Sequence, residues 1–134
     1  MFIRVVLAAF LVAHAAIHAG YLASPPTSAG GPAWPFRLDR SWVLRAAGTD
    51  VRVARLIGTT LLAATVAGFA GASLAALGLL PAAVWPVATS VGAIASLALL
   101  VIFFHPWLVV GVALDGALLW ATFIAGWSPS QVVV

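Results

Sequence analysis

The sequence predicts an all-α membrane protein: four antiparallel transmembrane helices with a short interfacial helix in the first loop. Apolar stretches at 56–80, 84–104 and 107–127 follow one another almost without a break and carry one charge, Asp115, while a fourth, at about 3–22, opens the chain. Each is long enough to cross a hydrocarbon core of about 30 Å, which takes about 20 helical residues. With 64% hydrophobic and only 7% charged residues, the chain has too little polar surface to solvate a water-soluble fold.

The 134 residues accommodate these spans and one real loop, 23–55, so the chain reads as a single four-helix transmembrane domain, 1–134. The net charge of +3 comes from Arg and Asp alone. Five of the arginines, Arg37, Arg40, Arg45, Arg52 and Arg55, fall in the first loop, where they read as a topology signal facing anionic lipid and not as a nucleic-acid platform. The positive-inside rule then puts that loop in the cytoplasm and both termini outside. Absence of cysteine excludes disulfides, thiolate metal sites and Cys nucleophiles. A chain rich in Ala, Val, Gly and Arg without Lys has the bias of a GC-rich bacterial genome, hence the expectation of a bacterial cytoplasmic membrane.

In the first span, Arg4, the apolar run 5–16 and Leu22-Ala23-Ser24 also outline a secretory signal peptide. The length of the run and the two histidines inside it favour a retained helix. Next, Pro25-Pro26 through Gly30-Gly31-Pro32 cannot hold a helix at membrane depth and is expected outside the hydrocarbon. Asp39 reads as the N-cap and Gly48 as the stop of a short helix lying in the interface, and Thr49 or Asp50 as the cap of the second span. Trp34, Trp42, Trp85 and Trp107, with Arg52 and Arg55, are the expected interfacial anchors. The links at Pro81-Ala82-Ala83-Val84-Trp85-Pro86 and His105-Pro106-Trp107 are short enough to force antiparallel hairpins.

Counting depth at 1.5 Å per residue puts His14 and Asp115 both roughly 13 Å inside the loop-side boundary, within reach of each other. His18 lies one turn shallower on the face of His14, and Ser96 and Thr65 fall at the depth of Asp115. A polar seam is thus expected to run inward from His105, Tyr21 and His18 to His14, Asp115 and Ser96. A lone carboxylate in the bilayer centre costs at least about 2.5–3.5 kcal/mol, so Asp115 must face the bundle, protonated or paired. Three uses are open: hydrogen bonds between helices, a proton or small-solute path, and a metal site. For the metal, His14 and His18 at i, i+4 could chelate zinc, copper or iron, with Asp115 or His105 completing the sphere. Haem fits less well, because two histidines on one helical face cannot bind both sides of one ring. Ala15 stands where an H-E-x-x-H motif needs Glu, and no nucleophile, base and orienting group stand together, so an enzyme is not expected.

Rows of small residues, Ala64-Gly68-Ala72 and Ala88-Gly92-Ser96, permit close helix contact within the bundle or between copies. The first helix, Leu11-Val12-Ala13-His14-Ala15-Ala16-Ile17-His18-Ala19-Gly20-Tyr21, resembles the opening of small four-helix bacterial membrane proteins that are loosely DoxX-like, as do Ala54-Arg55-Leu56-Ile57-Gly58, Ser96-Leu97-Ala98-Leu99-Leu100 and Leu114-Asp115. The resemblance implies a four-helix bundle and no particular activity. The sequence favours a structural or accessory subunit that acts through helix packing and its interfacial loop, docking on another membrane subunit or on itself; the alternative is a metal-binding or proton- or solute-conducting bundle that uses the His14/His18/Asp115 seam.

Overall fold

The computed structural model describes residues 1–23 and 34–131; the expectation for the Pro- and Gly-rich stretch 24–33 falls outside the described residues. Five α-helices follow in order: α1 (Phe2–His18), α2 (Trp42–Ala46), α3 (Val51–Ala76), α4 (Val84–Ile102) and α5 (Val109–Leu119). A 3-10 turn extends α1 to Leu22, another at Pro106–Leu108 starts α5, and a wide π turn, Trp120–Ile124, continues it. The result is four apolar rods of 21, 26, 19 and 19 residues, each able to cross a membrane by length and composition.

The contacts fix antiparallel packing. On α1, Arg4, Ala8 and His14 meet Ala76, Ser73 and Phe69 of α3 in turn, so one number rises as the other falls. Likewise Gly68 and Gly71 of α3 face Gly92 and Ala88 of α4, and Ser96 and Leu100 of α4 face Asp115 and Gly111 of α5. The α3–α4 contact is the closest in the bundle: a Cβ on Gly68 would lie 2.3 Å from the Gly92 backbone nitrogen. The small-residue rows of these two helices are therefore used inside the bundle, where short side chains let backbones approach. Two apolar clusters flank the middle. One, around Leu11, Phe69, Ala72, Trp85 and Ala93, fills the terminal end; the other, around Tyr21, Leu62, Leu99, Leu100 and Phe103, lies under the first loop.

Helix ends are closed by side chains that reach across the bundle. Arg4 Nε donates to the Ala76 carbonyl at 2.6 Å, satisfying one of the acceptors left over at the end of α3. At the opposite end, Ser41 Oγ donates to Ile102 O at 2.8 Å and Trp42 Nε1 to Val101 O at 2.7 Å, so the loop helix α2 sits over the last carbonyls of α4. The N-cap of α2 is Ser41, whose Oγ accepts from Leu44 N at 3.1 Å, not Asp39. Asp39 instead forms a two-pronged ion pair with Arg37, at 3.0 and 2.5 Å. Gly48, at φ +71, stops α2 as expected, since a side chain there would be strained. Asp50 caps α3 through Arg52 N. The helix of the second rod starts at Val51, directly behind the expected cap Asp50, and ends at Ala76, where Gly78, at φ +77, turns the chain out of the helix.

Candidate functional site at the middle of the spans

Asp115 stands halfway along the fourth rod, Pro106–Ile124, and is completely buried. Its Oδ1 accepts from His14 Nε2 at 2.9 Å, and its Oδ2 is bonded to Ser96 Oγ. Ser96 Oγ also lies 2.7 Å from His18 Nε2, and His18 Nδ1 donates to the His14 carbonyl at 2.9 Å. Three helices thus meet in one closed circuit: α1 brings both histidines on one face, α4 the serine and α5 the carboxylate. Phe69 packs edge-on against the His14 ring at 5.0 Å and Phe10 stacks on it at 5.9 Å, which holds the imidazole in place and keeps the surroundings apolar.

A count of hydrogens defines the state of this circuit. Each of the four bonds needs one hydrogen, and the His14 carbonyl can only accept, so His18 Nδ1 carries its own. Neutral His14, neutral His18 and Ser96 supply three. The fourth must reside on the Asp115 carboxyl or on the second nitrogen of His18. With the acid, Asp115 donates to Ser96 and Ser96 to His18; with the imidazolium, His18 donates to Ser96 and Ser96 to Asp115. The two forms differ by a proton passed through Ser96, and both make the cluster neutral overall, as burial in an apolar medium demands.

The three titratable groups also meet the basic condition for a metal site, with one ligand atom from each of His14, His18 and Asp115 lying within 4.8 Å of the others. Those atoms are already engaged, however. Zinc bonds of about 2.0–2.2 Å would hold neighbouring ligand atoms roughly 3.3–3.6 Å apart, so an ion must spread His14 from Asp115 and displace the hydrogen between them. Ser96 and His18 outline a nucleophile and base, yet the hydroxyl is fully buried and shared with a carboxyl, and His18 Nδ1 is held by a carbonyl where a triad has its acid.

Beside the circuit lies a cleft of about 220 Å³, lined by His14, Ile17 and His18 of α1, Leu100 of α4, Val110, Gly111 and Leu114 of α5, and Pro35, Phe36, Trp107 and Leu108 from the loop-side end. It runs from the first loop down to the two imidazoles. On the far side of the circuit Leu11, Phe69, Ala72 and Ala93 are packed shut.

Not every expected member of the seam takes part. His105 stands outside the cluster: its Nδ1 accepts from Trp107 N at 3.3 Å and its ring faces Trp107, because it caps the turn that starts the fourth rod. Thr65 is at the right depth but turns its hydroxyl back to Leu61 O of its own helix, at 2.8 Å. Tyr21 packs against Phe36 and Phe103, and its hydroxyl has no partner among the described residues. Of the expected anchors, Trp42 and Trp107 are exposed, as are Arg52 and Arg55, whereas Trp34 is half-buried against Phe36. Trp85 is at the predicted helix end but only 2% exposed, because the π turn and Gly126 bring Trp127 back over it at 5.7 Å.

No family model, curated protein or solved structure matches this chain. Fold and site together define its class: a small four-helix multi-pass membrane protein with a closed His-His-Asp-Ser cluster at the centre.

Proposed function

We propose that this protein is a membrane-embedded, proton-linked binding protein: the Asp115–Ser96–His18–His14 circuit holds one proton and exchanges it with a small solute that enters from the loop side. The observation that carries this reading is the hydrogen count, which leaves one more hydrogen in the circuit than a carboxylate and two neutral imidazoles possess. The cleft on the loop side, set against the apolar cluster of Leu11, Phe69, Ala72 and Ala93 on the other, supports a binding site over a channel. By the distribution of arginines, the cleft opens toward the cytoplasmic side of a bacterial inner membrane. The resemblance to loosely DoxX-like four-helix proteins agrees with this architecture and adds no activity.

The test is proton release on unfolding. In SDS at about pH 8, where free histidine is neutral and free aspartate charged, the wild type should release about one proton per chain and Asp115→Asn none. Equal release from both would remove the basis of the reading.

A metal at His14, His18 and Asp115 is the second reading, favoured by the mutual proximity of three ligand-bearing side chains. Elemental analysis after purification in the presence of zinc decides between them: stoichiometric metal that vanishes in His14→Ala/His18→Ala would replace the proton by an ion. The accessory-subunit reading keeps the interfacial loop as its docking surface, while the small-residue rows of α3 and α4 face each other inside the bundle.

A further inference from the structure

We infer that the cleft between α1 and α5 is a site for a lipid-soluble phenol or comparable ring alcohol, whose hydroxyl donates to Nδ1 of His14. The inference rests on one part of the reading above, the tautomer in which His14 Nε2–H donates to Asp115.

That tautomer leaves Nδ1 as a bare lone pair. Among the described residues no hydrogen bond is made to it, although His14 is 96% buried, being 4% exposed, and lines the cleft. His14 lines the cleft, so this lone pair is open to a donor that enters there. Apart from the two imidazoles the lining is aliphatic and aromatic: Ile17, Leu100, Leu108, Val110 and Leu114 along the walls, with Phe36 and Trp107 at the mouth. Such walls reject ions and hydrated sugars and favour an apolar body. Volume sets the size. An apolar cavity of about 150 Å³ takes benzene, so the 220 Å³ here takes a ring with a short alkyl chain. The second histidine offers no competing site, because both His18 nitrogens are bonded within the circuit. A carboxylic acid is disfavoured, since its charge would be desolvated beside an acceptor.

The rival occupant is an acyl chain of the surrounding lipid, which needs no donor. Titration of the isotope-labelled protein in lipid nanodiscs with para-propylphenol and with its methyl ether, para-propylanisole, separates them. The methyl resonances of Leu100 and Leu114 report entry, and the nitrogen resonance of His14 Nδ1 reports the hydrogen bond. The phenol should bind about fivefold to tenfold tighter than the ether and should alone shift Nδ1. Leu114→Trp, which fills the cleft while leaving His14 and Asp115 in place, should abolish entry of both. Equal affinity of the two probes, or entry of neither because lipid already fills the cleft, overturns the inference. The proton reading fails separately: it is read from Asp115 and His18 without any probe present, so a phenol preference beside a plain carboxylate and singly protonated His18 would leave the cleft site standing and remove the proton.

Discussion

His14 and Asp115, 101 positions apart in the chain, are joined by a 2.9 Å hydrogen bond at the middle of the bundle, and this bond ties the first helix to the last. Arg4 and Ser73 also bond α1 to α3, and Ser96 bonds α4 to α5, while the remainder of these contacts and that of α3 on α4 are largely apolar packing. Between α1 and α5 the circuit and the cleft take the place of a packed seam, so the element that binds the helices together is also the one with chemistry.

Ser96 bridges Asp115 and His18 directly, with one hydroxyl bonded to both. Ser96→Ala should destabilise the protein by about 1–3 kcal/mol for each group left unpaired, and should end proton exchange between the two. Thr65→Ala, at the same depth, removes only a bond from a hydroxyl to its own helix and should cost clearly less. Unfolding in SDS titrations measures both, and equal costs would mean that the circuit adds nothing to stability.

Gly68 tests the packing. Its Cβ would strike backbone, which cannot move aside, so Gly68→Ala should push α3 from α4 and cost at least the 1–3 kcal/mol typical of overpacking. At Gly116 an added Cβ meets nothing within 4 Å, and Gly116→Ala should be neutral or stabilising by about 0.5–1 kcal/mol, because alanine is the better helix former. The SDS midpoints of the two variants should therefore move in opposite directions or differ widely.

Ser41 has two jobs, capping α2 and bonding the end of α4. Ser41→Ala should cost about 1 kcal/mol, and hydrogen exchange should accelerate at Leu44, whose amide loses its acceptor. Unchanged protection at Leu44 would show that α2 is held by Trp42 alone.

The Arg37–Asp39 pair gives the loop a dependence on pH. Hydrogen bonds from the Arg37 guanidinium, and then its charge, hold the Asp39 carboxyl below the usual carboxylate value. A group lowered in this way stabilises the folded loop above its unfolded value of about 3.9 and loses that contribution as the pH falls through the folded value. Exchange at residues 34–40 should thus speed up on acidification below about pH 4, by a small factor because both side chains are about a third exposed, at 32% and 28%. Asp39→Asn should have the faster exchange already at neutral pH and show no further acid step.

Depth along a helix is legible in a sequence: it puts His14, Asp115 and Ser96 at one level, with His18 one turn nearer the loop side. Rotation about the helix axis and the conformation of short polar side chains are not. Thr65 and Ser96 share a level, yet Thr65 bonds backward to Leu61 while Ser96 is held forward by two partners on other helices. Trp85 shows the same limit: its position at a helix end suggests the interface, but the return of Trp127 through a π turn, which no simple pattern marks, buries it. Asp39 and Ser41 are both residues that can cap a helix, and only the folded chain, in which Ser41 also reaches Ile102, decides between them.

The central claim is that the circuit holds one hydrogen beyond those of a carboxylate and two neutral imidazoles. Solid-state NMR of the protein in lipid bilayers at neutral pH, with carbon labels in the aspartates and nitrogen labels in the histidines, reads this directly. The account predicts either a protonated Asp115 carboxyl with one bare nitrogen on His18, or a carboxylate with His18 protonated on both nitrogens. A carboxylate at Asp115 together with a singly protonated His18 would contradict it.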